Sequence, residues 1–356
     1  MKTDQTHDIY LTATPYHILL AIGHSSDNKK SDNKKILVLR PDFLNYKLMI
    51  KSLELWDKCP FYKIILLNGN FSQNSFKIKH KRLSYILSSI DNIPKIKKLV
   101  DSLKDCGKNI FIFNDTIPEF QYICYENKIN NNTYIEDGSA AYSSNKTIKN
   151  SQKLKTIVSK FLFGNWYTPT YHNLGTSKYI SNCKVFYPDL ANSNLKNRNI
   201  GELSKTILNQ IDKNYLDIVK KLYDLPELPG NTLIILEHSE FISANIEYIK
   251  LIKELISKKI KNNEKILVKY HPRETDHYMG EIINNNVSYI NQSIPMELIY
   301  LTLDTPNIEI YGGASTALLT AKILRPNSKV FSFANTLNLK DEQLKNTFKA
   351  IEITLI

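Results

Sequence analysis

The sequence predicts an α/β protein made of two Rossmann-like domains that face each other across a cleft. In both halves of the 356-residue chain, short apolar runs alternate with helical patterns, as in a parallel sheet covered by helices. An irregular stretch rich in Tyr, Ser and Asn separates the two halves. Because the length suits two domains of ordinary size, we expect domains at 1–190 and 191–356, with the active site in the cleft between them.

The first half begins with a strand and a well-marked helix start. The run from Asp8 to Ala13 predicts a strand, and Thr14 followed by Pro15 predicts a helix, since threonine caps a first turn and proline fits its first position. No strand-to-helix turn carries G-x-G-x-x-G or a Walker lysine, so a standard dinucleotide or P-loop site is not expected. Further strands are predicted at 36–39, 63–67, 109–113 and 133–136.

The second half repeats the pattern after an interruption. The stretch 148–197 predicts connecting surface structure or a lid. A helix over 203–222 follows, assigned to the second half, and 226–230 is a break rich in proline and glycine. The alternation then restarts with a helix over 244–261 and with strands at 233–236, 265–269, 287–290, 307–311 and 329–333.

Composition excludes several classes of protein. Apolar content of 42% and charged content of 23% are those of a globular chain. No apolar run approaches the ~20 residues of a membrane span, and the polar amino terminus lacks a signal-peptide pattern, which predicts a cytoplasmic protein. The four cysteines form no C-x-x-C pair or zinc spacing. A net charge of +12 predicts an anionic partner, whether nucleic acid, an acidic membrane surface or an acidic polymer.

Two carboxylates end the fifth predicted strand, in the sequence Glu136-Asp137-Gly138. Adjacent strand residues point to opposite faces, so one carboxylate should face the cleft, and the glycine permits a sharp turn. A carboxylate placed there could take a proton from an attacking hydroxyl, with its pKa raised by partial burial. The alternative is a turn in which Asp137 caps the next segment.

A histidine follows the strand at 265–269, in the sequence Lys269-Tyr270-His271-Pro272-Arg273. The proline prevents simple continuation of the strand, so His271 should lie at its carboxyl end, where ligands bind in open α/β sheets. The cationic neighbours Lys269 and Arg273 favour an anionic partner. A structural strand cap is the alternative, and His238, after its own strand, is expected to be structural.

The segment Gly312-Gly313-Ala314-Ser315-Thr316 predicts a strand, a glycine turn and a helix start. Gly313 lets the backbone approach a ligand, and Ser315 or Thr316 can cap the helix, whose free N–H groups attract an anion. A cap without a ligand is the alternative. Upstream, Glu297 in a helix first turn could accept hydrogen bonds from ribose, or simply favour the helix dipole.

Together these motifs resemble bacterial sialyltransferases, which carry an acidic pair before glycine, a His-Pro pair and a downstream Ser/Thr pair in this order. The spacing looks most like the capsular polysialyltransferases. The resemblance implies a GT-B fold with an acceptor-side first domain and a donor-binding second domain. It also implies an inverting, metal-independent enzyme that uses CMP-sialic acid and needs no cofactor.

Carried over by motif position, Glu136 is similar to the family's general base. His271 looks like the residue that bonds the CMP phosphate and acts as acid to the leaving group. Ser315 and Thr316 would hold the phosphate, and Glu297 the ribose. Secondary candidates for substrate binding are Asp137, Lys269, Arg273, Gly313 and the turn that begins at Thr14.

The resemblance also implies partners. An oligosialic or polysialic acceptor carries one carboxylate per sugar, which suits a basic protein, whereas a lysine-rich solvated surface explains the same charge. With no membrane span, contact with the inner membrane or capsule-assembly proteins should be peripheral. Alternatives are a single-transfer sialyltransferase acting on galactose-terminated lipooligosaccharide, a CDP-alcohol polymerase of teichoic-acid type, and a non-catalytic nucleic-acid-binding protein, although no nucleic-acid-binding motif is recognisable.

Overall fold

The chain divides into two compact units, Met1–Ile211 and Asp212–Ile356. The division falls later than the predicted boundary at 190, because the strand Asn199–Glu202 pairs with Asn182–Val185 in the first sheet. The structure, a computed structural model, describes residues 6–27, 32–69, 81–104, 106–127, 132–144, 160–168, 173–225, 227–242, 245–274, 278–280, 282, 284–303 and 305–356.

The first unit is built on a parallel sheet of seven strands within its described residues. Their spatial order is β3-β2-β1-β4-β5-β6-β7, so the direction of winding reverses between β1 and β4. The strands are β1 (His7–Thr12), β2 (Lys34–Leu39), β3 (Phe61–Leu66), β4 (Lys108–Ile112), β5 (Asn132–Ile135), β6 (Asn182–Val185) and β7 (Asn199–Glu202). The helices are α1 (Pro15–Asp27), α2 (Tyr46–Glu54), α3 (Lys81–Ser102), α4 (Pro118–Glu126) and α5 (Ser193–Lys196).

The second unit repeats this winding around a sheet of six described parallel strands, in the order β10-β9-β8-β11-β12-β13. Here the winding reverses between β8 and β11. The strands are β8 (Thr232–Ile235), β9 (Ile266–Lys269), β10 (Val287–Ile290), β11 (Glu309–Gly312), β12 (Lys329–Ser332) and β13 (Ile353–Leu355). The helices are α6 (Lys213–Leu222), α7 (Ser239–Ile242), α8 (Ile246–Lys261), α9 (Met296–Thr302), α10 (Thr316–Leu324) and α11 (Glu342–Ala350).

The central strands are buried on both faces. Every residue of β1, β5, β8 and β9 is buried, which explains why each contains adjacent apolar residues instead of an alternating pattern. The apolar runs are 9–11, 134–135, 233–235 and 266–268. Each predicted strand has a counterpart in the structure, with ends shifted by at most a few residues. The strands β6, β7 and β13 are absent from the prediction, because they are short and carry no such apolar run.

The predicted helix over 203–222 is wrong as a single element. A short 3₁₀ turn, Ile207–Gln210, belongs to the first unit, and α6 begins the second. The Asp212 side chain accepts the backbone N–H of Asn214 and caps α6. The break predicted at 226–230 begins at Pro226, which lies outside the described residues.

The described part of the irregular stretch is tied to the end of β4. Asp115 is fully buried there and accepts the backbone N–H groups of Gly175 at 2.9 Å and Ser177 at 2.7 Å. The amide of Gln121 bonds both the N–H and the carbonyl of Thr168. These contacts favour connecting structure over a lid, although 148–159 and 169–172 lie outside the described residues. None of the described helices is long and apolar enough to cross a membrane.

Candidate active site

In each unit, most of the predicted site residues lie just beyond the carboxyl ends of strands, and one of these strands, β1 in the first unit and β11 in the second, borders the point where the winding reverses. In the first unit they follow β1 and β5, which flank β4 on either side. In the second unit they follow β9, β10 and β11. Ligands of doubly wound sheets bind at this edge, in the crevice that forms where the strand order reverses.

Glu136 is completely buried. Its Oε2 accepts hydrogen bonds from the Tyr142 hydroxyl and from the Phe186 N–H, the latter at 2.9 Å. Its Oε1 has no hydrogen-bond partner among the described residues. Burial raises the pKa of Glu136 to about 8, against the lowering effect of these two hydrogen bonds. The carboxyl predicted to be the general base is therefore largely protonated at neutral pH and has no exposed surface.

Asp137, the next residue, is partly exposed, with 21% of its side chain accessible. Its Oδ1 contacts Nε2 of His17, which is fully buried. The His17 ring stacks on Phe113 at 4.9 Å between centroids. Gly138 follows at φ +78°, a conformation that favours glycine and turns the chain sharply after the two acids.

Thr14 has a local structural role in this region. Its hydroxyl accepts the backbone N–H of His17 at 3.3 Å and so caps α1, as the sequence predicts. The same cap brings the His17 ring under the end of β1, where Nδ1 accepts the N–H of Ala13 at 3.1 Å.

In the second unit, His271 lies one residue beyond Tyr270, which follows β9. Its Nδ1 accepts the N–H of Arg273 at 3.2 Å. Burial lowers the pKa of His271 to about 4, and the neighbouring positive groups add to the effect. The ring is therefore neutral at pH 7, with its proton on Nε2, and can donate one hydrogen bond.

His238, expected to be structural, lies beside His271. The two rings are edge to face, 5.3 Å apart between centroids. His238 follows the neighbouring strand β8, and its Nδ1 accepts the N–H of Glu240 at 3.1 Å. The two histidines therefore make the same contact after adjacent strands: in each, Nδ1 accepts a hydrogen bond from the backbone N–H two residues later. In the neutral form of each ring, the proton is therefore on Nε2.

The start of α10 differs from the predicted phosphate cradle. The Glu237 carboxylate accepts the N–H groups of Gly313 and Ala314, and desolvation raises its pKa. A Cβ on Gly313 would collide with that carboxylate, so glycine is needed for contact with Glu237. Ser315 Oγ is buried without a hydrogen-bond partner among the described residues, and Thr316 begins α10.

The remaining predicted residues of the second unit differ in exposure. Lys269 is 1% exposed, and its Nζ donates to the carbonyl of Gln292 at 3.0 Å; burial lowers its pKa to about 8. Glu297 is mostly buried in the first turn of α9 and opposes that lowering through its charge. Arg273 is exposed. Lys269 is therefore a structural cation in this structure, whereas Arg273 is accessible to a ligand.

Sequence reasoning missed Glu237 as a cap and undervalued His17 and His238. Their position in the sequence could have indicated these roles, because Glu237 and His238 follow the apolar strand β8 in the same way as His271 follows β9. Across the described part of the chain, no group of three or more His, Cys, Asp or Glu side chains is placed to hold a metal ion.

Comparison with solved structures supports the GT-B fold. The chain is similar to UDP-GlcNAc 2-epimerase from Methanocaldococcus jannaschii at 11% identity, covering 99% of this chain and 89% of that one, with a TM-score of 0.54. A sialyltransferase from Photobacterium damsela matches at 12% identity over 99% and 81% of the chains, with a TM-score of 0.51. The UDP-GlcNAc 2-epimerase from Neisseria meningitidis matches at 13% identity over 97% and 90%, also at 0.51.

The family comparison is more specific than the fold. A search of curated protein sequences gave no significant match. The model of the alpha-2,8-polysialyltransferase family matches residues 8–334, a range that includes every predicted site residue. The fold and the predicted resemblance are both confirmed, and the chain belongs to the alpha-2,8-polysialyltransferase family.

Proposed function

We propose that the protein is an inverting, metal-independent glycosyltransferase that moves sialic acid from CMP-sialic acid to a growing polysialic acid chain. The family match over residues 8–334 carries this proposal. The geometry supports it, because an acidic pair in one unit and a histidine with a helix start in the other all follow the carboxyl ends of parallel strands. Capsule synthesis in the cytoplasm, with peripheral contact to the inner membrane or assembly proteins, fits this reaction.

On the donor side, three groups suit the phosphate of CMP-sialic acid. Nε2 of His271 and Nε2 of His238 can each donate a hydrogen bond when the rings are neutral, and Ser315 Oγ is a buried hydroxyl that needs a partner. Donors held by the backbone stabilise the charge that grows on phosphate as the glycosidic bond breaks. An anionic ligand also favours protonated His271, so that its proton can pass to the departing phosphate.

On the acceptor side, the pair Glu136 and Asp137 supplies the carboxylate for the attacking hydroxyl. The hydroxyl oxygen forms a bond to the anomeric carbon while the bond from that carbon to the phosphate oxygen breaks. CMP leaves with the electron pair, and the hydroxyl proton passes to the carboxylate. This role needs a carboxylate that is ionised at neutral pH and accessible to substrate.

The proposed function is tested by supplying CMP-sialic acid with either an oligosialic or a lactose-terminated acceptor, in buffer containing EDTA. We expect CMP release and chain extension on the oligosialic acceptor, and a drop in turnover of about 10² or more in His271→Ala. Absence of CMP release and of chain growth with both acceptors would contradict the proposal. One sialic acid added only to the lactose-terminated acceptor would instead identify a single-transfer enzyme.

A further inference from the structure

We infer that Glu274 is a positioning residue of the donor site, which ties the turn after β9 to the turn after β8 and so holds His271 and His238 as a pair that binds one phosphate group. The inference rests on the proposed function and adds to it the residue that sets the spacing of the pair. It also gives a direct phosphate contact to His238, which was expected to be structural.

A buried bridge between two strand ends is the first observation. Glu274 is 2% exposed, and its carboxylate accepts the N–H of Ser239 at 2.6 Å and the Ser239 hydroxyl at 3.0 Å. Ser239 directly follows His238, and Glu274 lies three residues after His271. Because hydrogen bonds to a buried charged acceptor are strong, this bridge fixes the distance between the two turns.

The turn after β9 is also braced on its other side. The N–H of Glu274 donates to the carbonyl of His271 at 2.9 Å and closes the turn. The Glu274 carbonyl accepts Nε2 of Gln292 at 3.0 Å, and Gln292 follows β10, the strand on the far side of β9. His271 is therefore held from both neighbouring strands, and the Glu274 carboxylate supplies the link towards His238.

The spacing of the two imidazoles is the second observation. Their centroids are 5.3 Å apart, and Nδ1 of each ring accepts the N–H two residues later, so each neutral ring donates through Nε2. Such donors bond phosphate oxygens at about 3 Å. The pair can therefore bond two oxygens of one phosphate group, which fixes the orientation of that group as well as its position.

The surrounding charge favours an anion over a metal ion. Burial is the main cause of the low pKa of His271, and three neighbouring groups lower it further by their positive charge: His238, Arg273 and Lys269. Positive surroundings attract phosphate and disfavour a cation. Both oxygens of the Glu274 carboxylate already accept hydrogen bonds from Ser239, so this acid supports the pair without being a ligand.

The bridge matters most as the glycosidic bond breaks. Negative charge then grows on the phosphate of CMP, and donors that are already in place stabilise this charge without reorganisation. His238 keeps its own proton and only donates a hydrogen bond, so the leaving group departs as in the proposed function. Without Glu274 the two turns could separate, and the phosphate would lose one donor.

Glu274 is tested by Glu274→Gln and Glu274→Ala in the full-length protein, with EDTA in the buffer. Glutamine can still accept the Ser239 N–H, whereas alanine removes the bridge. For the glutamine variant we expect kcat and calorimetric CMP affinity within about threefold of wild type. For the alanine variant we expect both to fall by about tenfold or more, with little change in KM for the oligosialic acceptor. If the alanine variant fails to fold, Ser239→Ala replaces it, with a loss of about threefold.

His238 is tested by two amide substitutions with different expected results. Glutamine can place an N–H group near the position of Nε2, whereas asparagine can accept the Glu240 N–H but is too short to reach the phosphate. We expect CMP affinity within about threefold of wild type in His238→Gln and weakened by about tenfold in His238→Asn. Asn284→Ala is the matched control, because Asn284 Oδ1 also accepts the N–H two residues later, at 2.8 Å, but precedes β10. Its CMP affinity should not change.

A double variant separates positioning from a general effect on stability. If Glu274 acts through His238, adding Glu274→Ala to His238→Asn should weaken CMP binding by less than the product of the two single effects. Single effects that multiply would show independent roles and overturn the positioning role. Wild-type CMP affinity in His238→Asn would overturn the phosphate contact, and wild-type kcat and affinity in Glu274→Ala would overturn the bridge.

The outcomes separate this inference from the proposed function, because CMP binding is measured without an acceptor. A wild type that binds CMP but releases none from CMP-sialic acid with any acceptor would overturn the proposed function, whereas the order of CMP affinities among the variants would still decide the inference. A wild type that does not bind CMP would overturn both.

Discussion

Neighbouring carboxyl groups can lie in very different environments, as those of Glu136 and Asp137 do. They are one residue apart, yet the first is buried and the second is partly exposed. The strand alternation that predicts this difference does not say which carboxylate is inside. The contacts with Tyr142 and His17 decide it, because each fixes one side chain in one environment.

The buried acid predicts an unusual dependence of stability on pH. In the folded protein the pKa of Glu136 is about 8, against 4.5 ordinarily. Between these values the folded state holds a proton that the unfolded state has lost, so stability falls as pH rises, by at most about 1.4 kcal/mol per pH unit. We expect Glu136→Gln to lack this contribution, so that the variant gains stability relative to wild type from about pH 5 to pH 8.

Urea denaturation of both proteins across that range measures the effect, and the difference between them cancels the titration of other groups. The first unit should carry the change, since Glu136 lies within it. A difference that stays constant with pH would show that Glu136 is ionised when folded.

At the scale of elements, both sheets place polar residues at strand ends and use helix starts to fix them. Thr14 caps α1 and so positions His17, while Glu237 binds the N–H groups at the start of α10. The glycine turn before α10 was expected to cradle phosphate directly. Two of its N–H groups instead donate to a carboxylate of the chain, because Glu237 lies just beyond the end of the adjacent strand β8.

Gly313→Ala tests this arrangement. The added methyl group would force Glu237 away from the N–H groups of Gly313 and Ala314, which leaves a desolvated carboxylate without its donors. We expect a loss of about 1–3 kcal/mol in stability and CMP binding weakened by about tenfold or more, measured by urea denaturation and calorimetry.

Gly201→Ala is the matched control. A Cβ at this position in β7 has its nearest contact, the Cys183 carbonyl oxygen, at 4.0 Å. We expect stability and CMP affinity close to those of the wild type. If the two alanine variants behave alike, the requirement for glycine at Gly313 is wrong.

At the scale of the whole molecule, the net charge of +12 is the main property that bears on the acceptor. A polysialic chain carries a carboxylate on each sugar, so several weak ionic contacts would form along it. Family membership favours this use of the charge over a nucleic-acid partner.

Salt dependence tests the use of the charge. We expect KM for a long oligosialic acceptor to rise about five- to tenfold between about 50 and 200 mM salt, the effect of losing a few ionic contacts. KM for a neutral lactose-terminated acceptor, if it is used at all, should change little. Equal salt dependence for both acceptors, or none for the oligosialic one, would show that the positive charge does not bind the polymer.

The sequence by itself determined the α/β class, the repeated alternation of strands and helices in two halves, and the strand ends that carry polar residues. It could do so because the buried part of a parallel strand requires a run of apolar residues. In addition, Thr14-Pro15 marks the start of a helix and His271-Pro272 marks the end of a strand, and both signals are local in the chain. The family followed from the order of three short motifs. These signals depend on near neighbours in the chain.

The tertiary structure alone decided the boundary at Ile211, the pairing of β6 with β7, and the partners of each site residue. His17 meets Asp137, and His238 meets His271, through contacts between residues distant in sequence. Burial and pKa depend on such contacts, because desolvation is set by everything that surrounds a group. For that reason the sequence could name the acidic pair, whereas only the fold distinguishes the buried acid from the accessible one.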